Sequence, residues 1–136
     1  MPTIAIQPIV LTDCLLTING NDYEGHVSSV EFVPTATSAT WKGLTPGGSH
    51  TATGLATWLC NLGYAQDWET VNSLSGYLFD HEGETVSATF EPKSGGTGFS
   101  ADIVITPGAI GGTVDAFAVA TVSLGVQGKP VRIPSA

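Results

Sequence analysis

The chain has 136 residues, 12% of them charged and 42% apolar, with 17 glycines and 8 prolines. That length fits one domain with its own core and no disulfide staples, and the apolar content excludes a disordered segment, which goes with low hydrophobicity and abundant charge. Four basic residues, Lys42, Lys93, Lys129 and Arg132, against twelve acidic ones leave a net charge of −8, so the chain lacks the clustered Lys and Arg that grip a phosphate backbone.

In chain order, residues 2 to 12 begin with Pro2 and are weakly patterned; they read as an extended N-terminal arm (about 1–12) with a short strand around Ile9 to Leu11. The opening shows no basic segment followed by a long apolar one, and no apolar run approaches the ~20 residues of a membrane span. Synthesis in a reducing cytosol and no membrane contact are the expectations. From Asp13 to Asn19, Cys14, Leu16 and Ile18 alternate with Leu15 and Thr17, and Asn19-Gly20-Asn21-Asp22 supplies turn chemistry, giving strand, tight turn and return strand. A strand with something apolar on each side follows from His26 to Val33.

Between Pro34 and Gly54 the composition shifts to Thr, Ser, Gly, Pro and Ala. A loop this long (about 34–54) is more often a binding element than a plain connection, and Trp41 within it predicts a hairpin flap with an interface anchor. Leu55 to Gln66 resumes alternation, with Ala56, Trp58, Cys60, Leu62 and Tyr64 on one face. One helix is signalled next: Asn72 or Ser73 as cap, Leu74, Tyr77 and Leu78 at helical spacing, and Gly83 as stop, about three turns in all.

The stretch from Thr85 to Gln127 then holds three apolar-rich runs. Val86, Ala88 and Phe90, and likewise Ala101, Ile103 and Ile105, show the two-residue period of strands with one buried face. From Ala116 to Val126 the second parity also carries Phe117 and Val119, which predicts a strand covered on both faces, by its own chain or by a neighbouring subunit. Gly128 to Pro134 reads as a proline-bracketed C-terminal arm (about 128–136) that needs a neighbour to hold it. The sum is a single domain over 1–136, mainly β: seven or eight antiparallel strands in a sandwich or barrel with one flanking helix.

No catalytic, cofactor or metal constellation emerges. His26, His50 and His81 lack zinc-enzyme spacing, and Asp80, Glu82, Glu84 and Glu91 lack a calcium loop. Asp67 and Glu69 beside Trp68 and Tyr64 could line a sugar site, but nothing places a second carboxylate pair opposite them. Ser94-Gly95-Gly96-Thr97-Gly98 is followed by no Lys-Ser/Thr and reads as a hairpin turn rather than a phosphate cradle. Cys14 and Cys60 lie in apolar runs and read as small buried hydrophobes. The expectation is a non-enzyme without cofactor.

Three segments carry a family resemblance: Tyr64-Ala65-Gln66-Asp67-Trp68-Glu69, the helix region Ser73 to Gly83, and Glu84 to Pro92. Together with Phe117 to Gly128 and Lys129-Pro130, they resemble the major tail tube protein of long-tailed, siphophage-type bacteriophages, over roughly Leu55 to Pro130. The resemblance implies a β-sandwich with a flanking helix, assembled as hexameric rings stacked into a hollow tube that conducts DNA. It implies a virion (tail) location after assembly in the host cytoplasm, with the tape measure and other tail proteins as partners. Six copies at −8 each would bring −48 to a ring, and a lumen of that sign would keep passing DNA from adhering.

On that reading Trp41, Lys42 and Leu44 belong to an inter-ring loop, and Ile4, Ile6, Val131 and Ile133 to arms bracing neighbouring subunits. Contractile tails and the type VI secretion tube use a similarly shaped conduit. The alternatives are a monomeric carbohydrate-binding β-sandwich, with Trp41, Trp58, Trp68 and Tyr64 as stacking surface, and a capsid decoration or baseplate protein.

Overall fold

The computed structural model describes residues 2–134; Met1, Ser135 and Ala136, the outer ends of the two expected arms, lie outside the described residues. The strands are β1 (Leu15–Ile18), β2 (Asn21–Asp22), β3 (Val27–Thr35), β4 (Ser38–Lys42), β5 (Ser49–Thr53), β6 (Thr57–Ala65), β7 (Thr85–Glu91), β8 (Gly98–Val104), β9 (Val119–Val126) and β10 (Val131–Ile133), with helix α1 (Leu74–Asp80) between β6 and β7. All pairings are antiparallel, and the fold is mainly β with this single helix.

Local chemistry explains the turns. Asn19 and Gly20 both take positive φ, 52° and 81°, which a two-residue hairpin needs to match the strand twist, and β1 pairs with β2 across them. Ser73 caps α1: its hydroxyl accepts from the Gly76 amide and donates to the Asp67 carbonyl. The helix runs two turns rather than the three expected, because the chain breaks at His81 and Gly83 turns away with φ +88°.

The main sheet runs β2-β1-β7-β8-β9-β6-β3, with β10 on the side of β8. β8 and β9 share only two pairs, Ile103↔Val126 and Val104↔Gly125, whereas β6 and β9 are paired from Trp58↔Val126 to Ala65↔Val119. The sheet therefore bends at the β8–β9 junction into two halves, β2-β1-β7-β8-β10 and β9-β6-β3. Their inward faces, among them Leu16, Ile18, Ala88, Phe90 and Ile103 from one and Cys60, Leu62, Ala120, Val122 and Leu124 from the other, form one core cluster. This is a sandwich-like arrangement; a closed barrel does not form, because β2 and β3 end as edges. β3 is a long edge strand, with a register shift between Val27 and Ser29 and a proline, Pro34, near its far end.

One opening between the halves is closed by α1. Its Leu74, Tyr77 and Leu78 join the core, the Tyr77 ring lies 6.2 Å from that of Tyr23, and the Gly83 amide donates to the Ile105 carbonyl. At roughly 1.5–3 kcal/mol for each fully buried large apolar side chain, Leu74 and Leu78 hold the helix firmly despite its length.

Three further expectations are corrected. No strand forms over Ile9 to Leu11; the arm from 2 to 12 pairs with neither edge of the sheet and is exposed throughout. The last core strand begins at Val119, not Ala116, and alternates cleanly: Ala120, Val122 and Leu124 are buried while Val119, Thr121 and Ser123 face outward, and Phe117 stands in the preceding loop at 93% exposure. The C-terminal arm is not loose either. Val131, Arg132 and Ile133 pair with Ser100, Phe99 and Gly98 of the chain's own β8.

Candidate assembly surfaces

Of the expected loop over 34–54, residues 34 and 35 belong to β3, and β4 and β5 form a two-stranded hairpin around Trp41, as the sequence predicts. β4 and β5 pair from Ser38↔Thr53 to Lys42↔Ser49 and belong to no other sheet. Every residue of both strands is exposed. The Trp41 ring lies over Gly43 and tilts against His50, centroids 6.3 Å apart, yet keeps 66% exposure. At the tip the Gly43 amide donates to the Gly48 carbonyl, and Leu44 stands wholly in solvent beyond it. Lys42 ends β4 beside them.

The N-terminal arm is the second surface. Ile4 and Ile6 are 90% and 82% exposed, and Ile9, Val10 and Leu11 are exposed as well. Val131 and Ile133 are exposed on β10, which pairs with β8. The fold thus leaves the first arm open and folds the second back onto β8.

A third surface was not foreseen in the sequence: the connection from Thr106 to Ala118 between β8 and β9, which carries exposed Ile110, Val114 and Phe117. Gln66 pins it. The Gln66 amide nitrogen donates to the carbonyls of Gly111 (2.8 Å) and Val119 (3.1 Å), and its oxygen accepts from the Gly111 amide (3.0 Å) and the Trp68 indole (3.3 Å). Trp68 in turn meets Phe79 edge-on, centroids 6.1 Å apart. Gly108 packs so closely on the Tyr64 hydroxyl that a Cβ would collide with it. The signal available beforehand was Pro107 with Gly111-Gly112, a turn marker inside what otherwise continues an apolar alternation.

The opening opposite α1 is a groove of about 820 Å³ between the two halves, lined by Phe32, Trp58, Phe90 and Phe99, with Lys129 and Arg132 at its border. The outward face of β9-β6-β3 differs in kind. It presents Thr121, Ser123, Asn61, Ser29 and Glu31 together with the exposed apolar side chains of Leu59 and Val119, with Ser123 donating to the Asn61 side-chain oxygen at 2.6 Å, and no Lys or Arg lies on these strands.

The titratable groups perform fold-level tasks. Hydrogen bonds from Thr70 and Glu69 hold the exposed Asp67 carboxyl below its usual range and tie the turn before α1. Burial raises the Cys60 thiol from 9.0 to about 12, and raises the Tyr23, Tyr64 and Tyr77 phenols. Cys14 is a free thiol that donates to the Pro92 carbonyl. His81 meets Glu84 at 2.6 Å, while His26 meets Tyr23 edge-on and His50 lies tilted against Trp41. Among the described residues no group of three His, Cys, Asp or Glu could hold a metal ion, and no helix is long and apolar enough to cross a membrane. No family model matches the chain, and no curated protein does.

Proposed function

We propose that this chain is a structural subunit that polymerises with copies of itself, as stacked, hexameric rings forming a phage tail tube through which DNA passes. The observation that carries the reading is the separation of a finished core from three apolar outgrowths: the arm with Ile4 and Ile6, the hairpin with Trp41 and Leu44, and the loop with Phe117. Large apolar side chains displayed on projecting segments mark interaction sites. On this reading the hairpin contacts the next ring, the N-terminal arm braces a neighbour, the tape measure and other tail proteins are partners, and the particle's tail is where the protein resides.

The outward face of β9-β6-β3 supports conduction. It combines hydroxyls, an amide and the carboxylate of Glu31 with the apolar Leu59 and Val119 and carries no Lys or Arg, and a surface without fixed cations releases no counterions from DNA and so does not retain it. The sugar-stacking set of Trp41, Trp58, Trp68 and Tyr64 is dispersed, with Tyr64 buried in the core. Trp41 sits on the hairpin, Trp58 in the groove, and Trp68 beside Phe79 near the opposite end of β6. Light scattering coupled to size-exclusion chromatography, followed by negative-stain imaging, tests the proposal. Rings or tubes growing with concentration are expected. A monomer at all concentrations that binds polysaccharide, or a trimer of the capsid-decoration kind, would overturn it.

A further inference from the structure

We propose that the aromatic groove opposite α1 is the receptor for the N-terminal arm of a second copy of this chain. The inference rests on the self-assembly reading and specifies one of its contacts. Three observations carry it. The groove is built from four side chains on four strands, Phe32, Trp58, Phe90 and Phe99, and stands open between the halves, whereas the opposite opening is filled by α1. The arm is the matching piece: Pro2 to Thr12 contains no charged residue, and its Ile4, Ile6, Ile9, Val10 and Leu11 are all exposed. Eleven extended residues span up to about 36 Å, ample to leave one domain and enter the next.

Charge supplies the third. Lys129 and Arg132 are the charged residues that line the groove, whereas Lys93 lies with Asp13 in the neighbouring cleft under Pro8 to Val10. Two of the four basic residues of a chain at −8 thus line one opening, with no acidic residue in its lining. That local positive field attracts an acidic body, and a second copy is one. An uncharged arm can enter beneath it without like-charge repulsion. The arm also starts at this same end, where the Ser94 amide donates to the Asp13 carbonyl. Each copy therefore offers both arm and groove, and arm-to-groove contacts passed from copy to copy close into a ring or propagate.

The test uses a fluorescein-labelled peptide of residues 2–12, titrated into the full chain carrying Ile4→Asp and Ile6→Asp, with anisotropy as readout. Saturable binding is expected, weakened at least tenfold by Phe99→Ser or by Phe32→Ser in the protein. The same two aspartates placed in the peptide, where unfolding is no issue, should weaken it equally. Mixing the arm-substituted chain with a Phe99→Ser chain should give pairs that grow no further. Absence of saturable peptide binding overturns the proposal even if tubes form. Peptide binding without mixed pairs also overturns it, by placing the arm in its own groove. Binding and mixed pairs without any ring or tube support the groove while removing the conduit reading.

Discussion

Gln66 and Gly111 are joined twice: the side-chain amide of Gln66 donates to the Gly111 carbonyl at 2.8 Å and accepts from the Gly111 amide at 3.0 Å. A side chain at the end of β6 thereby imitates one rung of a sheet and fixes a loop whose apolar residues find no cover in their own fold. Removing the rung should free the loop without opening the core. Gln66→Ala is expected to cost about 1 kcal/mol, the net worth of an ordinary hydrogen bond or slightly more, and to raise amide exchange selectively at Gly111. Hydrogen-exchange NMR checks this; uniform exchange changes across the sheet would count against it.

Gly108 and Tyr64 are matched by shape. Gly108→Ala should destabilise by about 1–3 kcal/mol, as overpacking does, because the alanine methyl meets a buried phenol that cannot swing aside. Tyr64→Phe removes the obstructing oxygen, so the double variant should recover much of that loss. Urea midpoints of the four proteins give the coupling, and simple additivity would refute it.

The Cys60 thiol ionises at about 12 in the folded protein and at about 9.0 without burial. The folded value is the higher one, so the contribution is intact below pH 9 and is lost above it, as the unfolded chain releases a proton that the folded one retains. Stability should fall by up to roughly 1.4 kcal/mol per pH unit once well past pH 9. The raised tyrosines act in the same direction at higher pH. Denaturant melts of wild type and Cys60→Ala between pH 8 and 10 should show a shallower pH slope for the variant.

The hairpin should separate assembly from folding. Trp41 and Leu44 contribute no buried core contact, so Trp41→Ala with Leu44→Ser should leave monomer stability within about 0.5 kcal/mol while abolishing growth beyond single rings. Thermal melts and light scattering read the two effects independently.

The legible parts of the sequence were those where backbone and side chain carry the same message. Asn19-Gly20 marks a turn that only such residues adopt readily, and Ser73 marks a helix start. The alternation of β7 and β8 reports a buried face directly. Ala116 and Phe117 misled because side-chain alternation continues past the point where the backbone, with Asp115 at φ 68°, has already left the sheet. Val131 and Ile133 hid a strand because Pro130 and Pro134 bracket it. The groove was illegible for a topological reason: Phe32, Trp58, Phe90 and Phe99 meet only because the bent sheet brings together strands distant in sequence.

The free margin of β3 has a last consequence. Unpaired strand margins are templates for runaway cross-β stacking. Here the irregularity at Val27/Ser29 and the ring of Pro34 confine the regular, donor-bearing backbone to five residues, Ser29 to Val33, with the Glu31 carboxylate at its centre. A molecule displaying so much greasy surface at high concentration is thereby protected against amyloid-like growth along its most vulnerable border.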